Sequence, residues 1–101
     1  MTTSVTITVN RLGGNTVGWQ VNASTDRRRL AVTVHVAGRR VFNQVGESGA
    51  YSGNGTCRGS DRNAIIYNAD AKGMVPGTER ALATGRLMVD QNSGTSSDTV
   101  P

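Results

Sequence analysis

Apolar and polar residues alternate along the first third of the chain, with the period of two that is typical of half-buried β-strands. Val5, Ile7 and Val9 alternate with threonine and asparagine, which predicts a strand running to about Leu12. Two further alternations, from Val17 to Ala23 and from Leu30 to Val36, predict two more strands. The apolar positions of these strands are the expected core: Val5, Ile7, Val9, Val17, Trp19, Val21, Val32, Val34 and Val36.

A tight turn is expected directly after the third strand. Gly38-Arg39 suits a two-residue hairpin turn with glycine at its first position. The resulting register pairs Val36 with Val41, His35 with Phe42 and Val32 with Val45. Because Phe42 then lies on the His35 face, both faces of this sheet need covering, which a lone chain of this size does poorly.

Residues 46–63 read as a long glycine-rich loop, with five glycines in eighteen residues and almost no apolar content. Connections of this length in a compact domain are usually functional or ordered by a partner. Within the loop, Gly53-Asn54-Gly55 could form the tip of a short hairpin with Tyr51 and Cys57 near its base. A short strand over residues 64–68 is expected next, followed by turns at Lys72-Gly73 and Pro76-Gly77.

The last quarter of the chain holds one ambiguous segment and one polar segment. Residues 79–84 could form a short helix capped by Thr78, but the alternation from Ala81 to Val89 runs longer and favours a strand. Residues 91–101 are polar and expected to be disordered unless they pack on another molecule. The sequence therefore predicts an all-β fold, a small antiparallel sandwich or barrel of six to seven strands over residues 1–90, followed by a C-terminal tail over residues 91–101.

Length and composition limit the possible classes of protein. A chain of 101 residues is one domain. It has no apolar run of about 18 residues, so no membrane span is expected. The N-terminus lacks the basic start and apolar stretch of a signal peptide, which predicts synthesis in the cytoplasm. The single cysteine, Cys57, cannot form an internal disulfide.

No arrangement of residues matches a catalytic, cofactor or metal site. A Cys57–His35 pair is the one nucleophile and base that the sequence offers, and His35 lies within a strand while Cys57 lies in the glycine-rich segment. One histidine and one cysteine cannot supply the three or four ligands of a structural or catalytic metal site. The glycines around Asn54 lack the lysine of a phosphate-binding loop and the third glycine of a dinucleotide site. We therefore expect a protein that is not an enzyme and that needs no cofactor.

Arginine carries most of the charge. Ten of the eleven basic residues are arginine, and the formal net charge is +4. Residues 27–29 precede the third strand and residues 39–40 follow it, so about ten residues at about 3.3 Å each separate the two clusters by roughly 30 Å. Clusters at opposite ends of one sheet suit pairing with acidic patches on neighbouring subunits, because the guanidinium fork gives such contacts a fixed geometry.

These features predict a non-enzymatic structural or assembly protein that contacts neighbouring subunits through its glycine-rich loop, arginine clusters and tail. By analogy of type, such a chain could be a bacteriophage virion component, for example a capsid decoration, head or tail accessory protein. The alternative is a small basic β-barrel that binds nucleic acid, with Tyr51 or Phe42 as a stacking surface. The candidate interaction residues are Arg27, Arg28, Arg29, Arg39, Arg40, Phe42, Tyr51, Arg58 and Arg62.

Overall fold

The described part of the chain consists of β-strands and short connections. A computed structural model describes residues 2–13, 16–46, 49–58, 67–78, 80–89 and 93–101. These ranges form eight strands: β1 (Thr3–Gly13), β2 (Thr16–Thr25), β3 (Leu30–Val36), β4 (Arg39–Gly46), β5 (Gly49–Arg58), β6 (Tyr67–Met74), β7 (Ala81–Val89) and β8 (Ser93–Val100). They contain no helix, and hence none with the length and apolar character to cross a membrane.

The strands form two antiparallel sheets of four strands each. The first sheet has the order β5-β2-β1-β8 and the second has the order β4-β3-β6-β7. Residues from both sheets join in one hydrophobic core, an arrangement compatible with a β-sandwich. The all-β prediction is therefore confirmed. The expected count of six to seven strands is wrong, because the described ranges alone hold eight.

The core lies between the sheets and is built mainly from valine. All nine predicted core residues are buried, and the most exposed of them, Trp19, shows only 6% of its surface. Each fully buried valine contributes about 1.5–3 kcal/mol relative to an exposed one. Leu30 of β3, Ala69 and Ala71 of β6, and Ala83 of β7 complete the core from the second sheet.

The segment expected to be a glycine-rich loop contains strand β5. Residues 49–58 pair with β2 over ten consecutive positions, so the predicted hairpin tip at Gly53-Asn54-Gly55 is wrong. A Cβ added at Gly53 would lie 2.5 Å from Phe42 Cε2, and one at Gly55 would lie 3.0 Å from Trp19 Cζ2. The glycines therefore leave room for aromatic rings of neighbouring strands, which supply the apolar contacts that β5 itself lacks. Residues 47–48 and 59–63 of the predicted loop lie outside the described residues.

The segment expected to be an irregular polar tail contains strand β8. Residues 93–100 pair with β1 over their whole length. Three pairs of hydroxyl groups join the strands on the outer face: Ser4 with Thr99 (2.9 Å), Thr6 with Ser97 (2.9 Å) and Thr8 with Thr95 (3.2 Å). Hydrogen bonding thus takes the place of the apolar alternation that marks β1 and β2, which explains why composition alone predicted disorder.

The hairpin between β3 and β4 has a different turn and register from those predicted. The turn residues are Ala37 and Gly38, whose φ angles of 53° and 78° suit a hairpin turn with both central residues left-handed. Val36 pairs with Arg39 and His35 with Arg40, and after a register shift Val34 pairs with Phe42 and Ala31 with Val45. The shift leaves Val41 as an extra residue on β4. Phe42 consequently lies on the core side of the sheet and not on the His35 side.

Of the remaining predictions, some are confirmed and others are wrong. Ala81–Val89 is strand β7, which confirms the strand and excludes the helical alternative over its described residues. A turn does occur at Pro76-Gly77, where Gly77 has a φ of 78°. Lys72 and Gly73 do not form a turn, because both pair with β3 inside β6. Of the strand expected over residues 64–68, residues 64–66 lie outside the described residues, and Tyr67 and Asn68 begin β6.

Candidate interaction surfaces

The arginine clusters lie at opposite ends of β3, as their positions in the sequence predict. Residues 27–29 connect β2 to the start of β3, and Arg39 and Arg40 begin β4 beyond its end. The molecule is 42 Å long and about 20 Å across. Arg58 is the last residue of β5 and pairs with Thr16. The preceding residue, Cys57, lies near Arg39, whose charge partly offsets the rise that burial causes in the pKa of the thiol. Arg39, Arg40 and Arg58 therefore share one end of the molecule, while Arg62 lies outside the described residues.

The triple-arginine end consists of Arg27, Arg28 and Arg29 with Val75 and Pro76 from the β6–β7 connection. These five residues line a depression of about 350 Å³. Arginine forks around an apolar floor can bind carboxylates or phosphates while burying the aliphatic part of a partner. The triple-arginine end is thus the described surface best suited to an anionic group.

Hydrogen bonds between side-chain oxygens and backbone groups hold both connections of the triple-arginine end. Thr2 N donates to Asp26 Oδ1 at 2.9 Å, and Arg27 N donates to Thr25 Oγ1 at 3.0 Å. In the facing turn, Thr78 Oγ1 donates to Val75 O at 2.8 Å, and Arg80 N donates to Thr78 Oγ1 at 3.1 Å. Side-chain oxygens that accept from or donate to nearby backbone groups fix such turns. The arginines therefore project from an ordered backbone.

The two aromatic candidates pack inside the fold. Tyr51 is buried, at 7% exposure, with its ring against Gly46. Phe42 is half-buried, and its ring lies 5.5 Å from that of Trp19 at an angle of 56°. Bases stack on ring faces that are open to solvent. Tyr51 is thus buried and Phe42 half-buried against Trp19, and the use of either ring as a stacking surface for bases stays a prediction.

On the outer face of the first sheet, the side chains that the structure describes carry no charge. We call it the neutral face; apart from Leu12 at one end, its described side chains are serine, threonine, asparagine or glutamine. They are Ser4, Thr6, Thr8 and Asn10 of β1, Gln20, Asn22 and Ser24 of β2, Ser52, Asn54 and Thr56 of β5, and Ser93, Thr95, Ser97 and Thr99 of β8. This uniformity contrasts with the net charge of +4 on the whole chain. Sequence alternation indicates the β1 and β2 members, but those of β5 and β8 escape it because several of the inward positions, Gly53 and Gly55 of β5 and Gly94, Ser96 and Asp98 of β8, are not apolar.

The second sheet carries a charged row across its outer face. Arg40, His35, Asp70 and Arg86 are register partners on β4, β3, β6 and β7. His35 Nδ1 lies 3.3 Å from Asp70 Oδ1, close enough for an ion pair but without hydrogen-bond geometry. Thr33, two residues before His35 on β3, is buried. His35 is therefore a member of a surface charge row.

Cys57 lies on the opposite side of the fold from His35. It belongs to the first sheet and packs against the core, so the structure does not form the Cys57–His35 pair. Burial raises the pKa of the Cys57 thiol, and the nearby charge of Arg39 lowers it by less. Nucleophilic cysteines are the reverse, with a depressed pKa. Within the described residues, no three histidine, cysteine or acidic side chains come close enough together to hold a metal ion.

Three of the four edge strands carry features that oppose the addition of another strand. At β7, Thr84 N donates to Asp98 Oδ2 at 2.8 Å and Arg86 N donates to Ser96 Oγ at 3.1 Å, so side chains of β8 occupy its backbone donors. The same bonds hold the β8 edge against β7. At β4, two arginines and the extra residue Val41 interrupt the edge. Sequence reasoning missed these edge contacts because it did not recognise β8 as a strand.

Comparison of the chain with models of protein families, with curated proteins and with solved structures found no match in any of the three.

Proposed function

We propose that the protein is a non-enzymatic structural protein that assembles with neighbouring subunits. One observation carries the proposal: the glycine-rich segment that the sequence singled out for contacts forms β5, an edge strand of the first sheet. Edge strands offer a row of backbone donors and acceptors to which another chain can add. The neutral face, to which β5 contributes Ser52, Asn54 and Thr56, supports the same function, since its described side chains bring no like charges together when copies approach.

The arginine clusters orient neighbouring subunits in this proposal. Arg27, Arg28 and Arg29 at one end, and Arg39 and Arg40 at the other, would pair with acidic groups of adjoining copies or of a partner protein. Bidentate guanidinium–carboxylate pairs fix both distance and angle, which a lysine cannot do. Their separation along a 42 Å molecule lets the two clusters serve two different contacts.

The more specific form of the proposal is a bacteriophage virion component, a capsid decoration, head or tail accessory protein. It rests on analogy of type. Its test is whether virion-like particles isolated by density gradient contain the chain in stoichiometric amount.

The experiment that tests assembly is native mass spectrometry combined with analytical ultracentrifugation. Association follows mass action, so the average mass should rise above the 10.6 kDa of one chain between about 1 and about 100 µM. A mass that stays at 10.6 kDa over the whole range overturns the proposal.

Nucleic-acid binding is the second candidate, and the depression at the triple-arginine end favours it. Fluorescence anisotropy with single- and double-stranded oligonucleotides at about 50 and 200 mM salt separates the two functions, because phosphate contacts weaken steeply with salt. Tight binding that persists at the higher salt would favour the nucleic-acid function. Binding that is absent, or lost at the higher salt, would leave the arginines to protein contacts.

A further inference from the structure

We propose that β5 pairs antiparallel with β5 of a second copy of the chain, so that two first sheets join into one continuous sheet. The inference rests on the proposed assembly function and names its partner and contact surface.

The features of β5 are those of an open edge. From Gly49 to Cys57 the strand has no charged residue and no proline, and only its last residue, Arg58, is charged. Its register with β2 runs through ten positions without a bulge. Among the described strands, β5 has a neighbour on one side only. Natural edge strands usually carry charges, prolines or bulges that block pairing, and β5 has none of these along nine residues.

The length and the unbroken register of β5 make a full pairing possible. Ten residues at about 3.3 Å each give about 33 Å of edge. Its inner face is already covered, because the Phe42 and Trp19 rings lie over Gly53 and Gly55. Among the described side chains of β5, a second chain at this edge therefore meets the small outward ones of Ser52, Asn54 and Thr56, together with the backbone edge.

Charge decides the direction of pairing. In a parallel pair the two Arg58 residues would lie side by side, and like charges at adjacent positions oppose pairing. In an antiparallel pair centred near Gly53 and Asn54, Arg58 lies opposite Gly49 or Ala50 of the partner subunit. The two arginines then sit at opposite ends of the pair. Such a pair has two-fold symmetry and closes as a dimer, which limits growth through this edge.

The test compares a charge on the edge with the same charge one strand further in. Asn54 and Gln20 are register partners on the neutral face, and both are exposed. Asn54→Lys adds a charge to the edge of both copies, while Gln20→Lys adds it to β2, which is already paired on both sides. We expect self-association to weaken by about tenfold in Asn54→Lys and by less than about threefold in Gln20→Lys.

Hydrogen exchange of the unmodified protein gives a second readout that does not depend on a variant folding. With increasing protein concentration, the amides of β5 should become protected while those of β8 keep their exchange rates. Association with unchanged β5 exchange, or equal association of both lysine variants, overturns this inference and leaves assembly standing. A chain that is monomeric at every concentration overturns both.

Discussion

Replacing Gly53 by alanine tests whether β5 requires glycine in order to leave room for an aromatic ring. A Cβ at this position would lie 2.5 Å from Cε2 and 2.8 Å from Cζ of Phe42. The ring cannot simply withdraw, because it packs against Trp19, which is itself buried. Either Phe42 or the β5 backbone must move to admit the methyl group.

The expected cost follows from two opposing effects. Overpacking a filled site costs about 1–3 kcal/mol, and the lower chain entropy of unfolded alanine returns about 0.5–1 kcal/mol. The free energy of unfolding should therefore fall by about 1 kcal/mol at the middle of the two ranges, and by at most about 2.5 kcal/mol. Urea denaturation followed by tryptophan fluorescence measures it, and the urea dependence should stay unchanged if only the folded state is affected.

Gly18→Ala is the matched control. Gly18 lies in β2, and its added Cβ would meet only the end of the Leu12 side chain, at 3.2 Å. Leu12 is 60% exposed and free to turn away. This variant should be neutral or slightly stabilising. The double variant Gly53→Ala with Phe42→Leu should recover part of the loss. Equal stability of Gly53→Ala and Gly18→Ala would refute the reasoning.

Three further outcomes are expected. Asp98→Ala should lower the free energy of unfolding by about 1.5–3 kcal/mol, because it leaves Thr84 N without its acceptor. Asp26→Ala is the control, since the Asp26 carboxylate accepts from the exposed backbone amide of Thr2. The control should lose clearly less stability in the same urea titration. Ala37→Asn should raise the thermal midpoint, since asparagine tolerates the φ of 53° better than alanine, and a lowered midpoint would argue against the left-handed turn. Burial raises the pKa of the Cys57 thiol above its ordinary 9.0, so the folded protein keeps the thiol proton to a higher pH than the unfolded chain does. The free energy of unfolding should therefore fall as the pH rises above 9.0. A Cys57→Ser variant that shows the same fall would contradict this.

The sequence predicts those elements whose inward residues are apolar. β1, β2, β3 and β7 all show the alternation, and the nine core residues named from it are all buried. β5 and β8 do not show it, because their inward positions include Gly53, Gly55, Gly94 and Asp98. Their partners lie elsewhere in the chain: aromatic rings cover the glycines of β5, and a backbone amide of β7 binds Asp98. Such long-range complementarity leaves no periodic trace in the strand itself.

The positions of the candidate interaction residues can likewise be predicted only in part from the sequence. The arginines lie in the turns before and after β3. The alternation that locates β3 is therefore enough to place Arg27 and Arg39 at opposite ends of the strand. The exposure of Phe42 and Tyr51 depends on register and on packing between sheets. A single extra residue, Val41, reverses the face on which Phe42 lies. Local pattern cannot supply that information, because the bulge is visible only once the two strands are paired.

The order of strands in the first sheet connects composition to the proposed assembly. Its two central strands, β1 and β2, carry the branched and aromatic core residues, and its two edges, β5 and β8, carry almost none. An edge strand with few apolar side chains depends more on its backbone hydrogen bonds, each worth about 0.5–1.5 kcal/mol net. β8 gains additional bonds through three hydroxyl pairs with β1 and two side-chain bonds to β7. β5 is held by pairing with β2 and by the rings over its glycines, and a second β5 would supply on its open side the kind of pairing that β2 supplies on the other.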